Sequence, residues 1–190
     1  MQQERKPSSA DNLSNLRSAI DRPVVLIGLM GSGKTTIGKR LAQELHLPFV
    51  DADEEIEKAA NLSINEIFEQ FGEPYFRDGE RRVIARLCGE EPMIIATGGG
   101  AFVNQETRTL IKKQAISIWL DCDIKTLAER VSRKNTRPLL RNKNAFNVLS
   151  QLAKERNPLY AKADIRITSM NAPHGAAVKS IMESLATWLK

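Results

Sequence analysis

Cysteine is scarce in this 190-residue chain: Cys88 and Cys122 are its two, and neither has C-x-x-C or zinc-ligand spacing. Free thiols in a reducing compartment are therefore expected. No apolar run is long enough to span a bilayer, so no membrane association is expected. Aromatic residues make up 5% of the chain and are not interleaved with a basic run, which argues against nucleic acid as a partner. There is no internal repeat and no low-complexity tract. The segment 1–21 lacks an apolar h-region and carries Glu4, Asp11 and Asp21, unlike secretory or transit peptides. We read it as a flexible polar tail or a short frayed helix, followed by one domain over 22–190 in a cytoplasmic protein.

The hydrophobic content of 42% is ordinary for a globular domain, and 28 Lys+Arg against 23 Asp+Glu leaves a mild positive balance that suits phosphate or carboxylate ligands. Apolar runs at Val24–Leu29, Pro48–Val50, Met93–Ala96, Ile116–Leu120 and Ile165–Thr168 alternate with helical patterns. That alternation predicts an α/β fold with a five-stranded parallel sheet. Ligands of such sheets lie beyond the carboxyl ends of the strands, which draws attention to the residues following each run. Two stretches break the alternation: about 51–87, which holds several short helices, and about 132–145, which is polar and has the composition of a mobile lid.

The most specific pattern is Gly28 to Thr35, GLMGSGKT, a complete G-x-x-x-x-G-K-[ST] loop between an apolar strand and a helix with Ile37, Leu41 and Leu45 on one face. Its glycines let successive N–H groups converge into an anion nest at a helix N-terminus. Lys34 can reach the β- and γ-phosphates of a nucleotide, and the Thr35 hydroxyl can ligate Mg²⁺.

Asp51 and Asp53 follow the second run; extended backbone would turn both carboxylates to one side, one toward a metal and one toward an attacking hydroxyl. Alternatively Asp53 only caps the helix that follows. Ser63–Glu66 reads as a capping box, ahead of an apolar face of Ile64, Ile67, Phe68 and Phe71. Arg77 and Glu80 share a helical face, either as an exposed ion pair or with Glu80 aiming the Arg77 fork at a substrate carboxylate. The triplet Gly98, Gly99, Gly100 ends a strand where backbone must approach a ligand closely. No acidic residue ends that strand, so help with a metal falls to Asp51. Arg130, Arg137 and Arg156 are further candidates, and Arg137 lies in the lid, where closure would bring it onto a transferring phosphoryl group.

Taken in order, GLMGSGKT, FVDAD, IFEQFGEPYFRDGE, GGG, RPLL and RNPLY resemble the motifs of the shikimate kinase family over roughly Val24 to Thr168. The resemblance implies a P-loop NTPase-type three-layer αβα sandwich with a helical substrate-binding segment and a lid. It implies ATP and Mg²⁺, with phosphates bound by Gly31, Ser32, Gly33, Lys34, Thr35 and Thr36, the metal by Thr35 with Asp51 nearby, adenine packed by Arg130, and the phosphates touched by Arg137. It also implies that Asp53 contacts the shikimate hydroxyls, that Arg77, supported by Glu80, and Arg156 grip its carboxylate, and that Gly98, Gly99 and Gly100 line its ring. The implied reaction phosphorylates the 3-hydroxyl of shikimate, with Lys34, Asp53 and Arg137 catalytic; a monomer is the default expectation. Residues 171–174, which should close the adenine pocket, match no firm pattern. A kinase of the same fold acting on gluconate or a nucleoside monophosphate is the nearest rival. A GTP-dependent switch would need N-K-x-D, and Asn142-Lys143-Asn144-Ala145 lacks its aspartate.

Overall fold

The computed structural model describes residues 9–132, 144–169 and 174–190. Five strands, β1 (Val24–Ile27), β2 (Phe49–Asp51), β3 (Ile94–Ala96), β4 (Ile116–Cys122) and β5 (Ile165–Ser169), form one sheet in the order β2-β3-β1-β4-β5. Every pairing is parallel. Eight helices surround it among the described residues: α1 (Ser9–Ala19), α2 (Lys34–Leu45), α3 (Ala52–Ala60), α4 (Ile64–Cys88), α5 (Gln105–Gln114), α6 (Ile124–Ser132), α7 (Ala145–Tyr160) and α8 (His174–Trp188).

The sheet separates two cores, which makes the molecule a three-layer αβα sandwich. Val25 and Ile27 of β1 point into one core, with Ile56, Ile84, Phe102 and Leu149 from the α3–α7 side. Val24 and Leu26 point into the other, with Ile37 and Leu41 of α2 and Ile181 of α8. A central parallel strand must be apolar on both faces, which is why β1 is an unbroken VVLI.

Of the two readings of the amino-terminal segment, tail or short helix, residues 9–19 take the helical one: they form α1, which packs against α2 and α8, with Leu16 and nearby Ile20 buried. These few apolar residues, spaced at i and i+4, were too sparse to stand out in a polar sequence, yet each finds a place beside α2. The remainder of the tail and nearly all of the 132–145 stretch, including Arg137, lie outside the described residues.

Helix α4 begins with the expected capping box, Ser63 and Glu66 each bonding the other's backbone N–H. Gly72, at φ 77°, breaks the helix, and Pro74 starts the second arm. The apolar face expected for the first arm is only partly buried. Ile67 reaches the core, whereas Phe68 and Phe71 stay exposed and pair with Phe76 and Tyr75, at ring separations of 4.7 Å in both cases. The break redirects the helix, so the 3.6-residue period of the first arm does not continue into the core.

The buried side chain of Leu16 gives a test of the α1 contact. Leu16→Ala should lower stability by about 2–3 kcal/mol, read as a shift in urea midpoint at constant slope. A detached tail would leave the midpoint where it is.

Candidate active site

Strand β1 runs into a loop that wraps over the start of α2. Gly33 is the N-cap of that helix and sits at φ 92°, a left-handed conformation that disfavours any side chain. Helices α3, α4, α5 and α7 have their N-termini capped by the side chains of Asp51, Ser63, Asn104 and Asn144. Helix α2 has no side-chain cap and no acidic residue in its first turn. Its N–H groups and dipole are thus left for an external anion. Lys34 is buried beside them, its ammonium donating to the carbonyls of Gly28 and Leu29, at 2.9 Å each.

The Thr35 hydroxyl donates to Asp51 Oδ2 at 2.8 Å, while Asp51 Oδ1 accepts the Asp53 backbone N–H at 3.1 Å. One carboxylate therefore caps α3 and anchors the phosphate loop together. The cap is Asp51, not Asp53: the strand ends at Asp51, and Asp53 is already in the first helical turn. Extended backbone does not continue to Asp53, so a period of two does not set the relation between these acids. Among the described residues no group of three His, Cys, Asp or Glu side chains could hold a metal ion. The Thr35 oxygen, with its hydrogen committed to Asp51, and the adjoining carboxylate are hard donors, a partial oxygen set of the kind Mg²⁺ uses when phosphate and water supply the rest.

A cleft of about 530 Å³ opens here. The structure brings Gly31, Gly33, Lys34, Thr35, Thr36, Asp51, Asp53, Gly98, Gly99 and Arg130 to its wall, together with Thr97 and His174. Ser32, between Gly31 and Gly33 in the loop, is fully buried, and its N–H donates to the Leu29 carbonyl at 3.3 Å. Arg130 reaches the Gly31 carbonyl at 3.5 Å. His174, at the start of α8, is held below its ordinary pKa by burial and by the charges of Arg130 and Arg40. It enters the site from the segment whose sequence carried no firm pattern.

The other half of the site is built on α4 and α7. Arg77 Nη1 donates to Glu80 at 2.7 Å, and its Nε and Nη2 donate to Glu73 at 3.2 and 3.1 Å. The two acids differ in kind. The Glu73 side chain is 63% exposed and that of Glu80 only 2%, so the first contact is exchangeable and the second fixed. The alternative of an exposed Arg77–Glu80 pair is thus ruled out. Glu80 Oε1 is buried with no hydrogen-bond partner among the described residues. Gly98 lies against this pair of acids: a Cβ there would stand 2.9 Å from Asp53 Oδ1 and 3.1 Å from Glu80 Oε1. At Gly100 a Cβ would overlap the Arg77 guanidinium. At Gly99 it would lie 3.3 Å from Arg156 Nη1. The glycine turn is therefore enclosed by Asp53, Glu80, Arg77 and Arg156.

Burial raises the Glu80 carboxyl above its ordinary 4.5, against the lowering pull of Arg77. A native state that holds this proton more tightly than the unfolded chain loses that contribution as pH rises through the raised value. The melting temperature of the wild type relative to Glu80→Gln should accordingly decline as pH increases above about 4.5. A pH-independent difference in paired thermal melts would contradict the burial of this charge.

The profile of the shikimate kinase family matches residues 30–186. The chain is 51% identical over 185 residues to a shikimate kinase of Novosphingobium aromaticivorans, covering 95% of this chain and 96% of that protein. It is 54% identical over 176 residues to a shikimate kinase of Caulobacter vibrioides, covering 93% and 86%. Among solved structures, shikimate kinase from Acinetobacter baumannii in complex with shikimate superposes with a TM-score of 0.85 at 33% identity, over 90% of this chain and 97% of that one. With the phosphate loop and the arginine-bordered glycine turn meeting in one cleft, this chain belongs to the shikimate kinase family.

Proposed function

We propose that this enzyme transfers the γ-phosphoryl group of ATP to the 3-hydroxyl of shikimate, giving shikimate 3-phosphate and ADP in the shikimate pathway to chorismate and the aromatic amino acids. The observation that carries this reading is the contact between two unlike subsites: Gly98 and Gly99 border the phosphate cleft, and the same two residues abut Arg156, Glu80 and Asp53. The relative solved with shikimate supports the identity of the acceptor.

In this reading the nucleotide phosphates take the uncapped end of α2, with the amides of Gly31 to Thr36 around them and Arg130 against the adenine. Lys34 exchanges the Gly28 and Leu29 carbonyls for phosphate oxygens. Thr35, with Asp51 behind it, would hold Mg²⁺, whose chemistry there would be to offset the negative charge of the phosphates. The shikimate carboxylate binds between Arg77 and Arg156, replacing the weak grip of exposed Glu73 on the Arg77 fork, while Glu80 keeps that fork aimed. Asp53 orients the 3-hydroxyl, and the backbone of Gly98, Gly99 and Gly100 faces the ring. Phosphoryl transfer needs positioning and charge neutralisation more than covalent help, and this arrangement supplies both. Arg137, which lies outside the described residues, is assigned the third cation on the transferring group. The enzyme is read as cytoplasmic and monomeric, without a nucleic-acid partner. Among the described residues no helix is long and apolar enough to cross a membrane.

ADP release measured with shikimate, gluconate, AMP and no acceptor tests the reaction: only shikimate should drive it, and acceptor-independent hydrolysis would refute it. Lys34→Ala should reduce kcat by about a thousandfold, the scale of losing a transition-state charge contact. Arg77→Ala should raise the shikimate KM by about 10- to 100-fold, as expected for one charged hydrogen-bond partner, with ATP affinity intact. Equal loss of both affinities in Arg77→Ala would overturn this division of roles.

A further inference from the structure

Tyr160, the last residue of α7, is completely buried. Its ring packs against Trp119, centroids 6.0 Å apart. A phenol in such a place needs a partner for its O–H, and the partner here lies in the acceptor site: the hydroxyl donates to the Gly99 carbonyl, 61 residues away in sequence. Arg156 stands one helical turn earlier on α7, on the same face as Tyr160. Both reach one spot, since the place a Gly99 Cβ would take is 3.3 Å from Arg156 Nη1 and 3.7 Å from Tyr160 Oη.

We propose that Tyr160 is a positioning residue for acceptor binding, whose hydroxyl fixes the Gly99 carbonyl beside Arg156 and so locks the glycine turn to the helix that carries the arginine. This rests on the reaction proposed above. The peptide between Gly99 and Gly100 is planar, so directing its carbonyl at Tyr160 directs the Gly100 N–H the opposite way. A run of three glycines has no side chain with which to settle that orientation itself. The brace therefore sets the heading of a backbone donor in the turn that Arg77 also touches. Burial pushes the phenol above its ordinary pKa, with Arg156 opposing, so the hydroxyl remains a donor throughout the range in which kinases are assayed. The nucleotide phosphates are assigned to the start of α2, whereas this bond joins the glycine turn to α7.

The test is steady-state ADP release by the full-length Tyr160→Phe enzyme with shikimate and ATP varied separately, alongside thermal melts. Loss of one buried hydrogen bond should raise the shikimate KM about tenfold and leave kcat and the ATP KM within about twofold. An unchanged shikimate KM with a lowered melting temperature would reduce Tyr160 to packing, and an equal rise in both KM values would also overturn the proposal. Wild-type turnover in the same assay separates the two claims: an enzyme inert toward shikimate refutes the reaction, whereas an active wild type with an indifferent Tyr160→Phe refutes the brace alone. If Tyr160→Phe does not fold, 4-aminophenylalanine in place of Tyr160 keeps both ring and donor. That enzyme should hold its shikimate KM within about threefold of wild type, and a tenfold rise would overturn the brace.

Discussion

Three strands held in one register make the site possible. Leu26 of β1 is level with Ala96 of β3, and Ala96 is level with Asp51 of β2. Just beyond that row lie the phosphate loop, the glycine triplet and the paired acids. Thr97 reinforces the row, its hydroxyl donating to the Leu26 carbonyl at 3.0 Å. Neither subsite could be moved by one residue without turning its side chains to the opposite face of the sheet. The contact between donor and acceptor is thus a property of strand pairing, established before any side chain in the cleft is considered.

Within that frame the two halves are stabilised differently. The half assigned to the nucleotide is made of backbone: an uncapped helix end and the carbonyls that hold Lys34. The half assigned to the acceptor is made of charged side chains on α4 and α7, and its character comes from unequal burial. Glu80 is withdrawn from water beside Arg77, at a cost that only a close ion pair offsets, whereas Glu73 meets the same guanidinium in solvent and adds little. One guanidinium edge is thereby fixed and the other left exchangeable. Asp51 joins the halves, since its two oxygens serve α3 and the phosphate loop at once.

What the sequence could reveal followed the range of the interaction. The phosphate loop, the Ser63 capping box and the strand runs are local patterns, and each is found where its spacing places it. The Arg77–Glu80 contact was legible as an i, i+3 pair, but the burial that distinguishes it from a surface bridge comes from the β3 turn packed on it. The same limit explains the readings that stayed open. Asp53 remained a candidate cap because nothing local shows that the strand ends at Asp51 and the helix begins at Ala52, and the packing of α1 was hidden because its partners, α2 and α8, are distant in sequence. That Arg77 and Arg156 face one turn was legible only through resemblance to a family, never from spacing, because they stand 79 positions apart in the sequence.

The crowding around Gly100 has a bearing on redesign. A Cβ at that position would occupy the space of the Arg77 guanidinium, and one at Gly98 would press on two carboxylate oxygens. Attempts to retailor the pocket for smaller or differently shaped alcohols therefore have no useful starting point in the turn itself. Variation has to come from the helices opposite, where side chains can be shortened or exchanged while the strand-borne scaffold stays as it is.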